Sequence, residues 1–178
     1  MPATGYHPLS KTFHWLIALA VLGMLGVGWW MTGLPLGLLK LEVYAWHKWI
    51  GLTVLSLTIL RLLWRWRVPP PPFPHTIAPW ERKLAPLVHA SLLVLLLLMP
   101  ISGWTMSSAA GVAVVWFGVL PMPDLVPRDQ DLFAALRLTH DVLSKLMALA
   151  VVLHVAAVLR HDVLRRDGVF RRMSPFAR

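Results

Sequence analysis

Cysteine is absent from the 178 residues. That excludes disulfides, thiolate metal sites and covalent attachment of a c-type haem. Charge is scarce too: Asp, Glu, Lys and Arg together make up 14%, against about 25% in soluble domains. Acids are the rarest, eight in all, and none falls at the centre of an apolar run. A transport site that gathers three or four ligands at one depth, carboxylates among them, has little to build on. No internal repeat is visible. What is present is apolar: 57% of the chain is hydrophobic, with ten Trp. That composition points to one compact membrane domain over residues 1–178 with a few spans, and the Trp cluster at span ends as an interfacial belt would.

Four runs are long enough to cross a bilayer, about 13–31, 44–63, 84–106 and 132–159. The first follows a short polar lead. It lacks a small-residue cleavage pattern and ends in Trp29-Trp30, so it is read as a retained span. Gly33-Leu34-Pro35 breaks it. A stiff polyproline connector, Pro69-Pro70-Pro71-Pro72-Phe73-Pro74, follows the second run. Pro100 kinks the third. Residues 111–120 are apolar but too short to span and are expected at the interface. Pro121-Met122-Pro123-Asp124 then turns the chain, and Arg160 begins a basic tail.

Four spans put both termini on one side. That side collects Lys11, Arg61, Arg65, Arg67, Arg82, Lys83, Arg160, Arg165, Arg166, Arg171, Arg172 and Arg178, twelve of the 17 basic residues. The opposite side holds Lys40, Lys48, Arg128, Arg137 and Lys145, balanced by five acids. The positive-inside rule places both termini in the cytoplasm of a multi-pass inner-membrane protein. The net charge of +9 then lies on the cytoplasmic face, and nucleic acid is not needed as a partner to explain it.

Histidine in a span is costly and marks a functional site by default. His140 and His154 are fourteen residues apart, nearly four helical turns, so both leave one face roughly 21 Å apart along the axis. Topology supplies a partner at each depth. His14 opens the first span on the cytoplasmic side with His154, and His47 opens the second on the outer side with His140. Each pair suits one haem, because two imidazoles fill both axial positions of the iron and leave a centre for electron transfer. Small residues one turn away, Ala18, Gly51, Ser144 and Ala150, leave room for a macrocycle. Close helix packing explains Ala18 and Gly51 equally well. Arg61 shares the His47 face at cytoplasmic depth and is the candidate partner for an inner haem propionate. Snorkelling explains it equally well. Lys48 and Arg137 are weaker candidates at the outer haem. His89 has no evident partner, His161 lies past the bilayer edge, and His7 and His75 are expected in loops.

With these residues the chain resembles the bacterial cytochrome b561 family. The matching stretches are Ser10 through His14-Trp15-Leu16, His47, Arg61-Leu62-Leu63-Trp64-Arg65, Leu84-Ala85 with His89, Met99-Pro100-Ile101 with Gly103, His140, and Leu153-His154 with Ala156-Ala157. The resemblance covers nearly the whole chain. It implies an all-α, four-helix transmembrane bundle with two haem b groups in its core, held by the histidines at 14, 47, 140 and 154. It also implies electron transport, with superoxide oxidation at the outer face and ubiquinone reduction as one activity. A cytochrome b subunit relaying electrons between the quinone pool and a partner dehydrogenase or hydrogenase is the alternative, docked through the proline-rich loop or residues 111–127. A haem-free bundle is the third reading, excluded by a b-type visible spectrum.

Overall fold

The computed structural model describes residues 5–74 and 77–176. His75 and Arg178 therefore lie outside the described residues, as do the first four residues of the polar lead. The chain is an all-α bundle. Helix α1 runs Pro8–Thr32, α2 Leu38–Arg67, α3 Pro79–Ala109 and α4 Gln130–Leu159. All four are long and apolar enough to cross a membrane.

Each helix starts before its apolar run, for a local reason. The His7 Nδ1 accepts the Leu9 N–H at 3.2 Å, and Pro8 fills the first position, so α1 begins five residues earlier than hydropathy suggests. His7 is thus a helix cap rather than a plain loop residue. At the other end of α1, Lys40 Nζ donates to the Leu34 carbonyl at 2.8 Å, so the loop is tied down as α2 begins at Leu38. Glu81 accepts the Ala78 N–H at 3.1 Å with Pro79 at the first turn of α3. Asp129 accepts the N–H groups of Asp131 and Leu132, both at 2.9 Å, and starts α4. Two prolines, Pro86 and Pro100, sit inside α3.

Within the apolar stretch that begins at residue 111, residues 115–121 form a two-stranded hairpin. β1 (Val115–Trp116) pairs antiparallel with β2 (Leu120–Pro121). Its turn places Phe117 at φ 51° and Gly118 at φ 72°, the positive-φ pair of a tight hairpin turn. Trp116 Nε1 donates to the Trp49 carbonyl at 3.2 Å, which fastens the hairpin to α2.

The basic tail also folds. A π-helical turn, Arg160–Arg165, continues α4. Arg166 (φ 51°) and Gly168 (φ 77°) then reverse the chain into α5, Val169–Met173. Trp15 Nε1 donates to the Met173 carbonyl at 3.0 Å, Tyr6 N–H to the Arg172 carbonyl at 3.1 Å, and Arg172 Nη2 to the Pro72 carbonyl at 2.8 Å. The C-terminal segment thus closes the end of the bundle where α1 begins.

α1 packs on α2, α2 on α3 and α3 on α4, while the α1–α4 and α2–α4 seams make far less backbone approach. At mid-height the seams are filled by one buried residue from each helix: Ile17, Val54, Leu96 and Met147.

Candidate functional site

The histidines lie on either side of that apolar layer. Met147 is seven residues from His140 and seven from His154, so on an ideal helix the layer sits roughly 10 Å from each. Toward the end where the chain starts and finishes, the rings of His14 (α1) and His154 (α4) have centres 6.3 Å apart. Toward the hairpin end, those of His47 (α2) and His140 (α4) are 6.4 Å apart. Both pairs bridge the two loose seams.

That spacing is informative. An imidazole nitrogen binds a first-row metal ion at about 2.0 Å, and a five-membered ring with bonds of about 1.33 Å has its centre about 1.1 Å behind the nitrogen. Two imidazoles on opposite sides of one ion therefore have centres roughly 6.3 Å apart. A direct nitrogen-to-nitrogen hydrogen bond of about 2.9 Å would bring the centres to roughly 5 Å. The observed separations match the first geometry. His89 on α3 is different: its ring lies 5.5 Å from His154, closer than shared axial ligation allows, and it is not without a neighbour as the sequence suggests. Among the described residues, no group of three or more His, Asp or Glu side chains forms a conventional metal cluster.

The rings have apolar and small neighbours. An apolar cleft of about 380 Å³ opens beside His47, lined by Met24, Val27, Trp30, Trp46 and Ile50. Two glycines leave the rings their space. A Cβ at Gly28 would lie 3.3 Å from His47 Cε1, and one at Gly103 would lie 3.1 Å from His140 Cε1. The Nδ1 of His47 is buried with no hydrogen-bond partner, and that of His140 is 2.8 Å from Ser102 Oγ. Gly51, by contrast, faces Met24 at an ordinary 3.8 Å and marks α1–α2 packing.

Arg61 comes to the His14–His154 end, with Nη2 3.5 Å from His14 Nδ1. It lines a small recess with Tyr6, Ser10, Trp64, Arg65 and Met173. Trp64 Nε1 donates to Ser10 Oγ at 3.0 Å. His161 stands apart from both pairs, 2.5 Å from Asp167 and 3.9 Å from the buried Glu81, which also binds Arg160 and Arg165. Sequence reasoning missed Gly28, Ser102 and Gly103 as neighbours of the rings. Gly103 stands in a motif the sequence did offer, but nothing distinguishes Gly28 from Gly23 and Gly26 before α1 and α2 are packed.

The molecule is a four-helix bundle, each helix long and apolar enough to cross a membrane, with two imidazole pairs at the spacing of ligands to one shared ion. The sequence profile of the prokaryotic cytochrome b561 family matches residues 5–176, and the chain belongs to that family of membrane haem b electron-transfer proteins. It is 32% identical over 180 residues to "Cytochrome b561 homolog 2" of Escherichia coli K12, covering 94% of this chain and 90% of that one. It is 28% identical over 174 residues to "Probable superoxide oxidase CybB" of Yersinia pestis, covering 96% of each. "Cytochrome b561 homolog 1" of Escherichia coli K12 is 27% identical over 179 residues, covering 93% of this chain and 96% of that one. Four apolar spans and this membership make it a multi-pass protein of the bacterial inner membrane.

Proposed function

We propose that the protein holds two haem b groups, one between His14 and His154 and one between His47 and His140, and oxidises superoxide at the periplasmic face while reducing ubiquinone. The observation that carries the reading is the pair of ring separations, 6.3 and 6.4 Å, at two depths of one bundle. Bound there, haem would supply one-electron chemistry. Two superoxide anions would release two electrons and two molecules of dioxygen. Ubiquinone would take the two electrons and two protons.

The chain's own residues have four tasks. The histidines orient and hold. Gly28 and Gly103 let the His47 and His140 rings approach the neighbouring helices. The Ile17, Val54, Leu96 and Met147 layer keeps water from the space between the pairs. Arg61, a semi-buried guanidinium in the recess beside His14, offers a fork of donors to a propionate carboxylate. Lys48 and Arg137 are the weaker candidates for the same task at the outer pair. The concentration of basic residues at the termini end supports a cytoplasmic location for that end. The relative described as a probable superoxide oxidase supports the substrate.

The test is purification in detergent with haem quantitation, followed by reduction with superoxide and with ubiquinol in turn. Two haem b per chain, reduced rapidly by superoxide and reoxidised by ubiquinone, is the expected result. One haem per chain would overturn the pairing. Reduction by quinol alone, together with a partner retained in mild detergent, would favour the subunit reading.

A further inference from the structure

Ser102 occupies the unspecified position of the Met99-Pro100-Ile101-x-Gly103 stretch. It is 8% exposed on α3, and its Oγ lies 2.8 Å from the Met99 carbonyl oxygen and 2.8 Å from His140 Nδ1. A hydroxyl has one hydrogen to donate. The carbonyl can only accept, so donation to Met99 leaves the hydroxyl to accept from the ring. His140 then carries its proton on Nδ1, and the Nε2 lone pair is free. The reverse arrangement, with the hydroxyl donating to Nδ1, puts the ring proton on Nε2 and blocks that nitrogen as a ligand.

The next residue reinforces the placement. Gly103 has no side chain where a Cβ would come within 3.1 Å of the His140 ring. One residue of α3 therefore gives the ring room and its neighbour ties down one nitrogen. The opposing ring is treated differently: the buried His47 Nδ1 has no hydrogen-bond partner.

We infer that Ser102 is a positioning residue for the hairpin-end haem, its hydroxyl acting with the Met99 carbonyl to favour the His140 tautomer that ligates through Nε2 and strengthening that imidazole as a donor. The inference rests on the reading of His47 and His140 as a haem site. An acceptor at the far nitrogen makes a ligating imidazole more basic. A more basic axial ligand favours the oxidised iron and lowers the reduction potential.

The experiment compares Ser102→Ala and Ser102→Thr in the purified, haem-loaded protein by optical redox titration and haem quantitation. Ser102→Ala removes the hydroxyl that lies 2.8 Å from His140 Nδ1 and leaves the Met99 carbonyl without that donor. The expected result is two haems per chain, with one midpoint potential raised and the other unmoved. Ser102→Thr, which keeps a hydroxyl able to bond the i−3 or i−4 carbonyl, returns it toward the parent value. Loss of one haem in the Ala variant that Thr restores would support the same role. Unchanged potentials with both haems retained, equal shifts of both, or a loss that Thr does not restore would overturn it. His140→Ala is the control for the underlying reading: if it retains both haems, the site assignment fails, whatever Ser102 does.

Discussion

At the scale of single residues, the two ring pairs stand apart. They share α4 but no side chain, and the apolar layer around Met147 separates them. His140→Ala is therefore expected to remove one haem and leave the His14–His154 haem with its spectrum and potential intact. Haem quantitation with a redox titration checks this, and equal loss of both would contradict it. Gly103→Val is a subtler probe, since it leaves every ligand in place. Even a bare Cβ there would meet His140 Cε1 at 3.1 Å, and valine adds two methyls beyond it. Overpacking of this kind costs about 1–3 kcal/mol. The expected outcome is reduced occupancy of the same haem that His140→Ala removes, with the other unchanged. The histidine couples were legible in the sequence because depth and helical period fix which rings can meet. The glycines and the serine were not, because their role depends on which neighbouring helix they face.

At the scale of elements, hydropathy located the spans and local capping chemistry set their ends. His7, Ala78–Glu81 and Asp129 extend helices outside the apolar runs, where a span search has no signal. Asp129 illustrates the energetics. Its carboxylate satisfies two of the otherwise unpaired N–H groups of α4, and replacing such a cap by alanine costs about 1 kcal/mol. Asp129→Ala is expected to lower the unfolding temperature in detergent while leaving haem content and potentials alone, since His140 lies eleven residues into the helix. The tail was the least legible element. Its basic residues look like a solvated run, yet Glu81, on a different helix, binds Arg160 and Arg165 and anchors its start. Glu81→Gln is expected to speed hydrogen exchange across 160–173 and leave the four long helices protected. Unchanged exchange there would show that the Trp15–Met173 and Arg172–Pro72 bonds hold the segment alone.

At the scale of the whole molecule, the bundle has two unlike ends. Among the described residues, one gathers the start of α1, the proline-rich stretch after α2, α5 and most of the cations. The other carries the aromatic hairpin and a balanced set of charges. Positive charge is retained on the cytoplasmic side during insertion, and the bias counts most in short loops near span ends. Here the loop after α2 and the segment after α4 both qualify, and Arg61, Arg65, Arg160 and Arg165 lie near their span ends. On the proposed orientation the two ring pairs would inherit their sides from this bias, His14 and His154 toward the cytoplasm and His47 and His140 toward the periplasm. A reporter active only in the cytoplasm, fused after residue 178, is expected to work, and one inserted in the 117–119 turn is expected to stay silent. A membrane-impermeant superoxide source outside sealed, right-side-out vesicles should then reduce haem in the parent protein, and His140→Ala should abolish the rapid phase. Persistence of that phase with the hairpin-end haem gone would mean that electrons enter elsewhere, even with the topology intact.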